Sequence, residues 1–244
     1  MSIKILKILK IAIFGYGKMG QLIEKMALQH SYQVVYIQDF KFSRGSINQA
    51  SVAIVFSTPD AVIENIEYAF KHNLNVVCGS TGWLKDYKKV TQMTKQSKCG
   101  FLYASNFSIG VNVLFEMNRK LAHTMKSLND YEVSITETHH TEKLDKPSGT
   151  AITLAEDLVH IHQLQNWTIQ KASKDELQIN SHRKAKVMGD HQITYNSEID
   201  ELSIVHKAHN RNGFAHGALI AAKWIEHKIG IFNMSDVLSD TLSN

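Results

Sequence analysis

The stretch Ile8-Leu9-Lys10-Ile11-Ala12-Ile13-Phe14-Gly15-Tyr16-Gly17-Lys18-Met19-Gly20 decides the fold. Its first seven residues are apolar apart from Lys10, the mark of a strand buried on both faces of a parallel sheet. Gly15 to Gly20 then spell G-x-G-x-x-G, and Met19, Leu22, Ile23, Met26 and Ala27 recur at helical spacing. Strand, glycine loop and helix in that order form the setting in which this motif cradles a dinucleotide. Gly15 permits the tight turn, Gly17 lets backbone approach a pyrophosphate, and Gly20 lets helix and strand pack closely. Gly15, Gly17, Lys18, Met19 and Gly20 are therefore candidate cofactor-binding residues. The plainer alternative is the same tight turn with no ligand.

Downstream, strands and helices alternate. Val34 to Ile37 is a second strand, and Ser51 to Phe56 is a third. Thr58 and Pro59 open a helix striped by Val62, Ile63, Ile66, Ala69 and Phe70, with Thr58 expected as N-cap. Asn75 to Cys78 is a strand, Asp86 to Gln96 a helix, and Phe101 to Ala104 a strand. Such alternation predicts an α/β fold, a Rossmann-like doubly wound parallel sheet. Ligands bind such sheets at the carboxyl ends of the strands, where the loops at Gly15, Ser57, Gly79 and Ser105 fall. Asp39, just after the second strand, suits the adenosine ribose hydroxyls of NAD. Lys41 and Arg44 follow closely and suit a 2′-phosphate. NADH and NADPH both stay open, with NADH slightly favoured.

From about Phe107 the pattern changes. Tyr131 to Glu137, Ile193 to Tyr195 and Leu202 to Ala208 alternate, as strands with one solvated face do. A second, smaller α+β domain is expected there. Asn166 to Asn180 is polar and carries no assignable pattern. Phe214 to Lys228 reads as an amphipathic helix and Ile231 to Leu242 as a short tail.

Glu137-Thr138-His139-His140-Thr141-Glu142-Lys143 and Pro147-Ser148-Gly149-Thr150 follow the first alternating strand. His139 and His140 can exchange protons near neutral pH. Lys143 is a cation, and free N–H groups at a helix start suit a carboxylate or phosphate. Read as a loop, this stretch offers a site for an anionic substrate that needs a proton.

Composition narrows the classes. Twenty-seven basic and 23 acidic residues give a net charge of +4 in 244 residues, with 43% hydrophobic content. The basic residues are scattered, with only a mild cluster at Lys85, Lys88 and Lys89, so no nucleic-acid partner is expected. No apolar run has the length of a membrane span. Met1 to Lys10 reads as a basic tail entering the first strand rather than a signal peptide. Cys78 and Cys99 fit reduced thiols in a cytosol. A metal site built from His139, His140, His206 and His209 lacks an acidic or cysteine partner at ligand spacing, so no metal is expected.

The motifs in order resemble the dihydrodipicolinate reductase family, also called 4-hydroxy-tetrahydrodipicolinate reductase, of lysine and diaminopimelate synthesis. The resemblance runs from Gly15–Gly20 through Gly79-Ser80-Thr81-Gly82 and Ser105-Asn106-Phe107-Ser108-Ile109-Gly110-Val111-Asn112. It is most specific over His139-His140-x-x-Lys143-x-Asp145-x-Pro147-Ser148-Gly149-Thr150, and includes His206-Lys207-Ala208, Arg211 and Gly230-Ile231-Phe232. It implies an oxidoreductase in which His139 donates a proton and Lys143 is the second catalytic residue. His140, Lys143, Ser148, Gly149 and Thr150 would hold the carboxylates of a small dicarboxylate. Gly79, Ser80, Thr81, Ala104, Ser105, Asn106 and Phe107 would join the glycine loop and Asp39 in binding the cofactor. It further implies a cytoplasmic homotetramer built through the second domain's open mixed sheet. The nucleotide domain would span 1–106 and 212–244, and the substrate domain 107–211. Closure between domains, with hinges near Ser105–Phe107 and His209–Gly213, and a cleft between His139, Lys143 and the nicotinamide belong to the same expectation. The chain departs from the family in a glycine loop one residue short, a trimmed segment between Asp39 and Ser51, and Asp39-Phe40 where an acidic-basic pair is frequent. Another two-domain dehydrogenase, or an NADH-sensing regulator without chemistry, would share the first half but would not need the histidine-lysine motif.

Overall fold

The computed structural model describes residues 8–30 and 32–242. The tail reading of Met1 to Lys10 lies outside the described residues up to Lys7. The chain forms two compact units, one from residues 1–108 and 214–244, the other from 109–213.

The first unit begins with β1 (Lys10–Phe14), α1 (Lys18–Gln29), β2 (Gln33–Gln38), β3 (Ser43–Gly45) and β4 (Val52–Val55). It continues with α2 (Val62–Lys71), β5 (Asn75–Cys78), α3 (Tyr87–Ser97) and β6 (Gly100–Tyr103). The second unit holds α4 (Ile109–Met125), β7 (Glu132–His139), α5 (Gly149–His162), β8 (Asn166–Thr168), β9 (Glu176–Arg183), β10 (Asp190–Asn196) and β11 (Glu201–Lys207). Then α6 (Asn212–Ile225), β12 (Gly230–Phe232) and α7 (Met234–Leu242) complete the first.

The first sheet runs β12-β6-β5-β4-β1-β2-β3, parallel throughout except for the β2–β3 pair. Every residue of β4 and β5 is buried, as are the last four of β1, which is why all of these positions except Asn75 are apolar. Ile66 and Ala69 of α2 are fully buried; an isoleucine side chain taken out of water contributes roughly 1.5–3 kcal/mol. Going from β2 to β4, the chain crosses to the other side of β1. The β1–β4 boundary is therefore the topological switch point, where open α/β sheets bind ligands.

Two expectations are corrected here, at Thr58 and at the C-terminal stretch. Thr58 precedes a 3₁₀ turn, Pro59–Ala61, before α2, and its side chain makes no capping bond; its carbonyl takes the Ala61 N–H instead, at 3.0 Å. The short segment between Asp39 and Ser51 holds only β3, which turns back antiparallel on β2, and a 3₁₀ turn at Ile47–Gln49. The stretch expected as a tail contains β12, which extends the sheet beside β6, and α7, whose Val237 is fully buried. Buried Asn75 fastens this return: its amide nitrogen donates to the Ile225 carbonyl and its oxygen accepts from the Gly100 N–H at 2.7 Å.

The second sheet runs β11-β10-β7-β9-β8 and is mixed. Helices α4 and α5 pack on one face and share its core. The segment without a readable pattern holds β8 and most of β9. Strand β9 alternates, with Leu177 and Ile179 buried between polar neighbours. Across four strands the core face shows a register of two rows. Ile204, Ile193, Ile135 and Ile179 stand opposite one another; in the next row stand His206, His191, Glu137 and Ser181. The core column of each strand thus changes from apolar to polar at the same end of the sheet.

Candidate active site

In the first unit the glycine loop has the backbone its sequence demands. Gly15 has φ +90°, and a Cβ there would meet the Phe56 carbonyl oxygen at 2.3 Å; only glycine adopts that turn without strain. At Gly17, the residue before α1, nothing lies within 4 Å of where a Cβ would stand, so the backbone is open to a pyrophosphate. Lys18 is exposed and Met19 half-buried, while Gly20 is buried against Gly15. The Asp39 carboxylate accepts the Tyr16 N–H at 2.5 Å and the Phe40 N–H at 2.6 Å, which puts it beside the loop. Ser80 is buried, and its hydroxyl accepts the Ser57 N–H at 2.8 Å, tying the loops after β4 and β5 together. Gly79 is half-buried and packs on the Phe56 ring, while Thr81 is exposed. Ala104 and Asn106 are half-buried, Ser105 is exposed, and Phe107 is buried with its ring 5.8 Å from that of Phe56. An open glycine and a carboxylate at the end of β2, beside the switch point at the β1–β4 boundary, fit a dinucleotide.

In the second unit His139 is not on a loop, as the sequence implied: it is the last residue of β7 and 7% exposed. The column Ile135, Glu137, His139 faces the core, so a carboxylate with no exposed surface lies one step below the imidazole. Glu137 Oε2 is 2.8 Å from His139 Nδ1, off the axis of the ring N–H, so the pair is in contact without a well-aligned hydrogen bond. The other carboxylate oxygen accepts from Ser181 and from Arg183 Nη1, the latter at 3.1 Å. Burial opposes the charge on Glu137, but contacts with His139, Ser148, Ser181 and Arg183 outweigh it and hold the carboxyl well below the usual range.

The His191 ring stands 5.1 Å from that of His139, and its Nε2 is 3.1 Å from Ser148 Oγ. Ser148 caps α5 by accepting the Ala151 N–H at 3.2 Å. Gly149 is exposed, with open space where a Cβ would be, and half-buried Thr150 follows in the first turn. The loop from His140 folds back through the Lys143 N–H, which donates to the His140 carbonyl at 3.1 Å. The Lys143 ammonium pairs with Asp145 at 2.8 Å and keeps a quarter of its side-chain surface exposed.

The fold therefore brings His139, His140, Lys143, Ser148, Gly149 and Thr150 to one end of the second unit. Reasoning from sequence missed Glu137, Arg183 and His191 as members of this cluster. The signal was present: in Ile135-x-Glu137-x-His139, Ile179-x-Ser181-x-Arg183 and His191-x-Ile193, the buried column of an alternating strand turns polar. The acidic partner judged missing for a metal also exists, since Glu137, His139 and His191 bring ligand atoms within 4.8 Å of one another. Of the four histidines first considered, only His139 belongs to that group. The Arg183 guanidinium pairs with the same carboxylate and sets a positive charge beside it.

Burial, and then the charge of His139, push His191 down to about 3. An unfolded histidine titrates near 6.5. The unfolded chain thus binds a proton that the folded chain refuses, and stability falls as pH drops from about 6.5 toward 3. Denaturant midpoints measured over that window should decline with acid, and His191→Gln should flatten the decline.

A glycine-loop nucleotide unit and a second α+β unit ending in a buried carboxylate–imidazole cluster define a nicotinamide-dependent oxidoreductase. The comparisons carry this further. The N-terminal family of dihydrodipicolinate reductase matches residues 9–107 and its C-terminal family residues 110–238, so the chain belongs to the dihydrodipicolinate reductase family. A 4-hydroxy-tetrahydrodipicolinate reductase from Christiangramia forsetii is 46% identical over 97% of this chain and 100% of its own. One from Blochmanniella pennsylvanica is 37% identical over 78% of this chain and 72% of its own. Among solved structures, dipicolinate-bound dihydrodipicolinate reductase from Paenisporosarcina sp. TG-14 superposes with a TM-score of 0.80 at 22% identity, over 94% of this chain and 99% of that one. At that identity the likeness speaks to the fold.

Proposed function

We propose that the protein reduces 4-hydroxy-tetrahydrodipicolinate to tetrahydrodipicolinate in lysine and diaminopimelate synthesis. The observation that carries this is the 46% identity, along nearly the whole chain, to a protein of that name. By the two names, the product has one oxygen fewer than the substrate. A hydride and a proton therefore enter, and one water leaves. The reduced nicotinamide supplies the hydride when bound. The open backbone at Gly17 and the start of α1 receive the pyrophosphate, and Asp39 receives the ribose. Gly79, Ser80, Thr81, Ala104, Ser105, Asn106 and Phe107 complete the cofactor's surroundings. His139 delivers the proton to the charge that develops on the conjugated imine, and Lys143 stabilises that charge and holds a carboxylate. Ser148, Gly149 and Thr150 at the start of α5, with His140, hold the other carboxylate.

NADH is the favoured cofactor in this proposal. Arg44, the residue suited to a 2′-phosphate, is tied to Glu24 and lies 5.5 Å over the Tyr16 ring. Consumption of freshly generated substrate with each cofactor tests the function. Turnover only on amino acids or secondary alcohols would replace it with another dehydrogenase, and no turnover would favour a regulator. Glu24→Gln releases Arg44 and should tighten NADPH binding several-fold with little change for NADH, read by fluorescence titration; surface pairs of this kind are worth up to about 1 kcal/mol.

The proposal extends to a cytoplasmic homotetramer. Both cysteines are free thiols, and no helix among the described residues is long and apolar enough to cross a membrane. The sheet face opposite α4 and α5 carries Thr136, Gln192, Thr194, Ser203 and Val205, a surface on which second units can stack.

A further inference from the structure

The polar end of the second sheet holds more than His139 and the loop that carries Lys143. Glu137 is fully buried beneath His139, and a buried carboxylate is tolerated only when paired and hydrogen-bonded. Its partner Arg183 serves two places at once. Nη1 donates to Glu137 at 3.1 Å, while Nε donates to the Lys143 carbonyl at 3.2 Å and Nη2 to the Asp145 carbonyl. Nη1 also meets the His182 carbonyl at 2.7 Å and Ser181 Oγ at 3.2 Å. One guanidinium thus braces the carboxylate under the imidazole and the backbone that carries Lys143.

We infer that Glu137 and Arg183 are a positioning pair for the reduction: Glu137 fixes the tautomer and orientation of His139, and Arg183 locks Glu137 and the Lys143 loop into one frame. This deepens the reading of His139 as proton donor and rests on it. The orientation of Glu137 follows from its partners. Ser181 and Arg183, both donors, claim Oε1, which leaves Oε2 for His139 Nδ1. The 2.8 Å separation of Oε2 and Nδ1 makes that oxygen the acceptor assigned to the ring N–H. With Nδ1 held as a donor, Nε2 is the atom left to carry and release the transferred proton. Its neighbourhood favours this, because it lies 3.0 Å from the point where a Cβ on Gly189 would stand, and glycine leaves that space clear. A carboxylate that orients an imidazole is a general device of histidine chemistry.

The test is Glu137→Gln, nearly equal in shape. Ser181 and Arg183 hold the amide oxygen at the Oε1 position, so the amide NH₂ faces His139 Nδ1. A donor then meets a donor, the ring takes the other tautomer, and the imidazolium loses its counter-charge. The expected result is a fall in kcat of at least tenfold with substrate KM within about threefold of wild type. The alkaline limb of the kcat/KM profile moves to lower pH, and the nitrogen-15 signals of the His139 ring report the changed tautomer. Glu137→Asp keeps the charge and should hold the limb near its wild-type position while kcat drops; it carries the test if Glu137→Gln does not fold. Arg183→Lys should lower kcat as well, because an ammonium cannot span both sites. Wild-type kcat, pH profile and ring signals in the Glu137→Gln protein, beside an inactive His139→Ala, would overturn the positioning role and leave His139 standing. A fully active His139→Ala would instead remove the reading on which the pair depends.

Discussion

His139→Ala should lower turnover by roughly 10²- to 10⁴-fold, the range that general acid help contributes, while NADH binds as in wild type. The separation follows from the architecture. The proposed cofactor-holding groups, from Gly15 to Asp39 and from Gly79 to Phe107, belong to the first unit, and His139 ends a strand of the second. Alanine at this position leaves Glu137 buried with Arg183 and Ser181 still in place. The carboxylate therefore keeps partners, and the fold should survive the change. Fluorescence titration of NADH and steady-state rates on one preparation make the comparison. Unchanged turnover would take the imidazole out of the reaction.

Lys143→Ala should fail in a different way, losing both turnover and affinity for pyridine-2,6-dicarboxylate, a planar mimic of the substrate. A hydrogen bond to a charged group contributes about 1.5–3 kcal/mol, so binding should weaken about 10- to 100-fold. The ammonium is on a loop and already pairs with the largely exposed Asp145, so removing it leaves no buried charge unmatched. Calorimetry with the mimic reads affinity without needing turnover. Lys143→Arg should restore part of the binding, because charge persists, but less of the rate, because the guanidinium fork differs in reach and hydration. Equal binding by wild type and Lys143→Ala would place the carboxylates elsewhere.

The nucleotide unit was legible because its signals are local and redundant. A buried parallel strand such as Ile11–Phe14 needs an unbroken apolar run, and Gly15 and Gly20 are demanded by backbone that no side chain tolerates. The second unit was harder. In β9 only Leu177 and Ile179 face the core, and Ser181 and Arg183 continue the column as polar residues. A polar column looks like a loop until its neighbours across the sheet are known. For the same reason His139 was read as a loop residue: the alternation carries through Glu137 and His139, but the apolar half of the pattern stops at Ile135. Strand β12 was missed because three half-buried residues, Gly230–Phe232, carry too little pattern to be separated from a tail.

The late return of the chain to its first sheet has a consequence for biogenesis. Residues 1–108 leave the ribosome first, but β6 has no outer neighbour, and Asn75 no Ile225 carbonyl, until α6 and β12 have also been made. The second unit is an uninterrupted segment and can close on itself before then. The half that is synthesised first must therefore wait, with the flank of β6 uncovered, while the other half matures. A nascent chain stalled before residue 230 is the form most exposed to chaperones and to edge-to-edge aggregation.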